Sequence, residues 1–333
     1  MGSCAGRGDD CGGHPLRVAR RGVADGRSAV AADQRLCGTG ARRPGRRAGG
    51  HARRRLRRHV HDRGLPRVPA AIAGLAVSLS LAVARPRHNV VFETMGTMAT
   101  LTIASNVDAE HAGIAARACE ASLAGDDHRF SHYDDRSEIM RWLNGAPIGV
   151  AARRDIQVVL DQCLLLQIAS DGVFSAFDPA TGRLDTAGYA KGHAIGKAVH
   201  AVRSTGVQDF SINVGGDTFC SGRPDPKRTW RIGVADPSRK RRIAAVLEVR
   251  DGAVATSGTA ERGSHIWHRR PSSSLLSFTV TGPDIAMADA YATIGFAMGE
   301  AGIEWVGKHE GYSSLAIRAD GVVISDSTGL LAG

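Results

Sequence analysis

A break in composition near residue 88 sets the outer limit on what this chain can fold into. Residues 1–88 hold 19 Arg and no Lys against 5 Asp and no Glu, and they contain no Phe, Trp or Tyr. A stretch with that much like charge, abundant Gly and no helical or strand periodicity cannot bury enough apolar surface to offset the entropy of ordering it. It is expected to be a disordered Arg-rich tail, or sequence upstream of the true start of the working protein. The remaining 245 residues carry 24 basic and 28 acidic side chains, so the formal net charge of +10 belongs to the tail. Arg-rich tails can bind nucleic acid by neutralising phosphates. This one lacks aromatic residues for stacking and ends where globular composition begins, so no nucleic-acid partner is expected.

Residues 68–84 (VPAAIAGLAVSLSLAVA) run without a charge between Arg67 and Arg85. That length is at the lower limit for a membrane span and fits the apolar centre of a signal sequence. Membrane association through 68–84 is therefore one expectation, although the run lies far from Met1 for an ordinary cleaved signal peptide. No lipoprotein-type cysteine follows it. A cytoplasmic location is the leading expectation, with a membrane-anchored or exported form as the alternative. The six cysteines include no C-x-x-C pair and no metal spacing. Cys119 and Cys163 fall on apolar helix faces, where each is expected to act as a small buried hydrophobe.

From Val90 onward the composition is globular. Alternation of Ala99, Leu101 and Ile103 with Thr100 and Thr102 predicts a strand over 98–104. Helical spacing predicts helices over 108–123, from Asp155 through Ile156, Val159, Leu160, Cys163, Leu164 and Ile168, and over 192–203. Strands are predicted at 210–214, 230–234, 243–249 and 276–280, then a helix at 288–298. A hairpin of 313–317 and 322–325 turns at Asp320-Gly321. Helices and strands mix without regular β-α alternation, so the pattern predicts an α+β fold and not a doubly wound sheet.

The chemistry-bearing stretches are short. In Ala288-Asp289-Ala290-Tyr291-Ala292-Thr293, read as the start of a helix, Asp289 and Thr293 lie one turn apart on one face. A carboxylate beside a hydroxyl is a hard oxygen pair suited to Mg²⁺. An Asp at a helix N-terminus and a Thr bonded to a backbone carbonyl account for the same residues. Asp185-Thr186-Ala187-Gly188-Tyr189-Ala190-Lys191-Gly192 reads as a loop entering a helix, with Lys191 placed either for an anion or for solvent. Asn213-Val214-Gly215-Gly216-Asp217 ends a strand in paired glycines, which serve a close-lying ligand or a tight turn equally well. Thr256-Ser257-Gly258 is a small-residue turn, and His265 is either a general base or a surface His. G-x-G-x-x-G and Walker A spacings are both absent, which excludes a Rossmann dinucleotide site and a P-loop.

In order along the chain, Met95-Gly96-Thr97, Arg129-Phe130-Ser131-His132-Tyr133 with Ser137-Glu138-Ile139, Ala176-Phe177-Asp178-Pro179, 185–192, 213–217, Thr256-Ser257-Gly258, His265-Ile266 and 288–293 resemble the ApbE family of FAD:protein FMN transferases. The resemblance spans roughly 90–331. It implies two parts, a tail at 1–88 and a T-fold-like ApbE domain at 89–331 with mixed sheets and packed helices. It also implies Mg²⁺-dependent transfer of FMN from FAD to a Ser or Thr hydroxyl of an acceptor protein, with release of AMP. By position, Ala190, Asp289 and Thr293 resemble the Mg²⁺ ligands, and Lys191 and His265 the catalytic residues, with His265 accepting the acceptor hydroxyl's proton. Met95, Gly96, Thr97, Ser131, Glu138, Asp185, Gly216, Thr256, Ser257 and Gly258 resemble the walls of the FAD pocket.

Two places depart from the family pattern. Gly196 stands where the family usually carries Asp, and His268-Arg269-Arg270-Pro271 replaces an Asp-Pro and Thr-Gly pair. An FAD pyrophosphatase and a non-catalytic FAD-binding protein are therefore alternatives. Family acceptors carry a D-x-x-[ST]-G-A-T segment. Asp251-Gly252-Ala253-Val254-Ala255-Thr256 lacks its hydroxyl and glycine in the needed places, so self-modification is not expected.

Overall fold

The computed structural model describes residues 88–178, 181–239, 241–258 and 275–326, all of which belong to one unit, Val68–Gly333. Residues 1–87 of the tail, with the apolar run at 68–84, and His265 and the 268–271 departure lie outside the described residues, while His88 already belongs to the first strand. Among the described residues no helix is long and apolar enough to cross a membrane.

The strands are β1 (His88–Thr94), β2 (Thr97–Ile103), β3 (Phe210–Val214), β4 (Asp217–Ser221), β5 (Trp230–Ala235), β6 (Ile243–Val249), β7 (Gly252–Gly258), β8 (Leu275–Gly282), β9 (Ser313–Arg318) and β10 (Val323–Ser325). The helices are α1 (Ala109–Phe130), α2 (Glu138–Leu143), α3 (Val150–Ala169), α4 (Ala187–Ser204), α5 (Ile285–Met298) and α6 (Ala301–Gly307). Among the described residues, eight strands form one antiparallel sheet in the order β1-β2-β3-β4-β7-β8-β9-β10, and β5 pairs with β6. This is the expected α+β class, with no β-α alternation.

Side-chain alternation explains the layering. In β4, Phe219 joins the helix-side core while Cys220 faces the second cluster with Trp230, Ile232 and Leu247 of the β5–β6 hairpin. The same two-residue period sends Ala253 and Ala255 of β7 to one core and Val254 to the other. Helices cover one face of the sheet and the hairpin the other, so every residue of β4 is buried. Trp230, wholly buried, anchors the hairpin by donating its indole N–H to the carbonyl of Ser221 at 3.2 Å.

α5 is buried on nearly every side because it packs on α4, β7, β8 and α6 together. Small residues make that possible, and Gly192 shows why. A Cβ there would lie 2.7 Å from Ala286 Cα and 2.8 Å from the Ile285 carbonyl oxygen, so only glycine lets α4 and α5 approach this closely. On the other side of α4, Lys197 bridges Asp126 and Asp155 at 2.6 and 3.0 Å. Arg129 contacts those same two carboxylates and Glu138. This network ties α1, α2, α3 and α4 together.

Several boundaries differ from the sequence expectation. α5 begins at Ile285 with Asp284 as its cap, accepting from Met287 N, so Asp289 sits in the second turn and not at the start. α4 begins at Ala187, which puts Lys191 inside the helix. α3 begins at Val150, and Leu164 and Ile168 lie on its exposed side. α1 continues to Phe130, seven residues beyond the predicted end. Cys119 and Cys163 are buried as expected, and burial pushes both thiols up to about 12.

Candidate functional site

Three turns of chain converge at one end of the sheet. β1 and β2 pair through Thr94 and Thr97 around a two-residue turn, Met95-Gly96, in which both residues have positive φ. β3 and β4 pair through Val214 and Asp217 around Gly215-Gly216, again with both φ positive. These are the backbone requirements of tight hairpin turns that match strand twist. The turn reading of Gly215-Gly216 is therefore correct at the level of fold. Because β2 pairs with β3, Ala99 opposite Val214, the two turns are neighbours, and Gly215 N donates to the Met98 carbonyl at 3.1 Å. Met95, a non-glycine residue at φ 50°, is held there by its N–H, which donates to Asp127 Oδ2 at 2.9 Å.

Across the sheet, Asp217 Oδ1 accepts from Thr256 N at 3.0 Å, which brings the predicted Thr256-Ser257-Gly258 turn, here the end of β7, to the same place. Asp217 is wholly buried, and Lys191 Nζ lies 2.6 Å from its Oδ2. Lys191 also lies 3.5 Å from Asp289 Oδ1. Asp289 Oδ2 accepts from Gly192 N at 3.0 Å, so α4 and α5 are joined at the level of the ammonium group. One turn along α5, Thr293 Oγ1 lies 3.2 Å from Ser257 Oγ, and both residues are buried. Lys191 is thus neither the solvent-facing lysine nor the free helix-start cation that the sequence allowed. It is held between two carboxylates supplied by a strand and a helix.

A second group of predicted residues adjoins the first. Ser131 caps the C-terminus of α1, four residues past Asp127, and His132 follows it. His132 Nε2 accepts from Thr186 N at 3.1 Å, at the N-terminus of α4. Asp185 Oδ1 accepts from Ala187 N at 2.9 Å and completes that helix start. Glu138 points away from this group into the α1–α4 network, 2.9 Å from Arg129. Gly196 lies within α4, where a Cβ would meet only Ile285 Cγ2 at 3.6 Å.

The residues brought together at the sheet end are therefore Met95, Gly96, Thr97, Gly216, Thr256, Ser257, Gly258, Lys191, Asp289 and Thr293. Ala190 lies beside them in α4, and Asp185 and Ser131 lie at the adjoining helix ends. Sequence reading missed Asp217. Its signal was present, an acid directly after the glycine pair, but nothing in the spacing linked it to Lys191. The donors also suit a hard cation, because the carboxylate of Asp289, the hydroxyl of Thr293 and the carbonyl of Ala190 are all oxygen. Among the described residues no group of three or more His, Cys, Asp or Glu gathers as a metal cluster. Mg²⁺ can do with one or two carboxylates when waters and ligand phosphates complete its octahedron.

Burial lowers the pKa of His132 and of His193, in each case chiefly through desolvation of the charged form. Asp185 opposes the shift at His132 and Arg183 reinforces it; Asp126, Asp155 and Asp284 oppose the shift at His193, and Lys197 reinforces it. A base depressed in the fold is protonated more readily when unfolded, so these residues favour folding above the unfolded value of 6.5 and lose that contribution as pH falls through it. Thermal midpoints measured across that range should drop towards acid. His193→Gln should flatten the drop, and an unchanged slope would remove His193 from the account.

An antiparallel sheet covered by helices on one face is an α+β architecture seen in several solved proteins. The crystal structure of the ApbE protein from Thermotoga maritima superposes with a TM-score of 0.60 at 20% identity, covering 72% of this chain and 97% of that one. The flavin transferase ApbE from Vibrio cholerae gives 0.59 at 16% identity, covering 73% and 97%. The Pseudomonas stutzeri flavinyl transferase ApbE gives 0.56 at 19%, covering 72% and 94%. In sequence, a Vibrio cholerae FAD:protein FMN transferase is 28% identical over 130 residues, which span 35% of this chain and 39% of that relative. The ApbE family model matches residues 176–316, from Ala176 before α4 through Ala316 in β9. In sequence over residues 176–316 and in fold, the chain is similar to the ApbE family.

Proposed function

We propose that this protein transfers FMN from FAD to a Ser or Thr hydroxyl of an acceptor protein bearing a D-x-x-[ST]-G-A-T segment, with Mg²⁺ as cofactor and AMP as the other product. In this reaction the acceptor oxygen forms a bond to the FMN phosphorus, the P–O bond to AMP breaks, and the hydroxyl proton passes to a base. The observation that carries the reading is the arrangement of Lys191, Asp217 and Asp289 against the Ser257 and Thr293 hydroxyls, in an ApbE fold.

Ala190, Asp289 and Thr293 would hold Mg²⁺, and a bound Mg²⁺ supplies a Lewis acid for the charge that develops on the pyrophosphate. Lys191 adds a fixed positive charge at the same end of the sheet, where it favours the transition state over the less charged ground state. The Met95-Gly96-Thr97 and Gly215-Gly216 turns and the end of β7 form pocket walls in this reading. The rigid hairpins orient the ligand without a conformational cost. His265 is proposed as the proton acceptor. The position of 252–256 in β7, with 252–255 buried, keeps the protein's own near-match to the acceptor segment out of reach. A cytoplasmic location is part of the proposal.

The test is to incubate the full chain with FAD, Mg²⁺ and an acceptor carrying D-x-x-T-G-A-T. Covalent flavin fluorescence on the acceptor, together with stoichiometric AMP, is the expected result. Free FMN with an unlabelled acceptor would mean that water is the nucleophile, and FAD recovered intact would mean a binding protein. Either outcome overturns the transfer reading.

A further inference from the structure

We infer that Asp217 is a positioning residue that keeps the Lys191 ammonium from neutralising Asp289, and so sets the Mg²⁺ affinity of the site. The inference rests on the proposed assignment of Asp289 as a Mg²⁺ ligand. Lys191 stands 2.6 Å from Asp217 and 3.5 Å from Asp289, while the side-chain exposures are 27% for the lysine and 0% and 4% for the two acids. In so dry a setting the nearer carboxylate dominates the lysine's electrostatics, since attraction falls with distance and rises as the dielectric drops.

Asp217 is also the more rigid of the two partners. Its backbone closes the Gly215-Gly216 hairpin opposite Val214, and its other oxygen is held by Thr256 N of the adjacent strand. Lys191 is thereby tethered to the sheet. Asp289 holds Gly192 N on Oδ2 and meets the ammonium at the longer distance on Oδ1. If the charge at Asp217 is removed, Asp289 is the remaining described carboxylate within ion-pair distance of Lys191. The ammonium would then move onto Asp289 and compete with the metal for it. The role differs from that of a ligand, because Asp217 acts on the metal only through the lysine.

Calorimetric titration of Mg²⁺ into the full chain, with FAD saturating, tests this. Asp217→Asn preserves the acceptor for Thr256 N and should weaken Mg²⁺ binding about tenfold or more, the usual effect of disturbing residues that orient metal ligands. Adding Lys191→Gln to that variant should restore most of the affinity, because the competing cation is gone. A purely structural role for Asp217 predicts no such rescue, and its absence would overturn the inference. If Asp217→Asn binds Mg²⁺ as wild type does while Asp289→Ala does not, the inference fails and the metal assignment stands. If Asp289→Ala binds normally, the metal assignment itself fails. Should Asp217→Asn not fold, Lys191→Gln alone decides the matter. It should bind Mg²⁺ at least as tightly as wild type, and a loss of about tenfold would refute the tether.

Discussion

Asp289→Ala abolishes Mg²⁺-dependent flavin transfer in the proposed reaction, with a fall of at least about 100-fold, since a Lewis acid contributes several kcal/mol to phosphoryl chemistry. The same change also bears on the fold. Asp289 is 3% exposed and accepts from Gly192 N, so alanine also removes a buried hydrogen bond to a charged group, at a cost of about 1.5–3 kcal/mol. Asp289→Asn separates the two effects. It keeps an acceptor for Gly192 N and loses the charge, so its thermal midpoint should exceed that of the alanine variant while its transfer rate remains equally low. Wild-type turnover in either variant would remove Asp289 from the metal site.

Gly192→Ala should be nearly as damaging, although it alters no polar group. The added methyl would lie 2.7 Å from Ala286 Cα and 2.8 Å from the Ile285 carbonyl oxygen, and backbone atoms cannot step aside as a flexible side chain can. α4 and α5 must separate, with a stability loss of about 1–3 kcal/mol. A displacement of even part of an ångström between Lys191 and Asp289 is expected to lower transfer by roughly 100-fold. Gly196→Ala, one turn further along α4, provides the control. Its methyl would find only Ile285 Cγ2 at 3.6 Å, an ordinary contact, and alanine is the better helix former by up to about 1 kcal/mol. Thermal unfolding of the two variants side by side should show a lower midpoint for the first and an equal or higher one for the second. A Gly192→Ala protein as stable and active as wild type would mean that the helices are not set by this contact.

How much of this was legible in the sequence depended on whether an element faces water. β2 was readable because its residues alternate in burial towards its start, and α4 because Ala194, Ile195, Ala198, Val199 and Val202 form one buried stripe. β4 and β7 left no alternation to read, since the helices cover one face and the β5–β6 hairpin the other, so burial runs almost unbroken along both strands. α5 hid its start for a related reason. It is buried all round, so no polar face marked its limits, and its cap lies five residues before Asp289. The candidate site was legible as an ordered set of short blocks. Its central contact was not, because Lys191 and Asp217 are 26 residues apart in the chain and meet only through the packing of α4 on the sheet. Glu138 was grouped with the pocket by its neighbours in sequence, whereas its partner Arg129 turns it towards the α1–α4 network.

β4 and β7 are neighbours in the sheet, yet the chain leaves for the β5–β6 hairpin before returning to pair Thr218 with Val254. Residues from Lys191 to Thr293 must come together before Lys191 has both its acids and Thr293 its hydroxyl partner. Such a topology is rich in contacts between distant parts of the chain, which places its folding among the slower classes. The candidate site consequently depends on the seam between the fourth and fifth members of the sheet, and it is complete only once strands from distant parts of the chain have paired there.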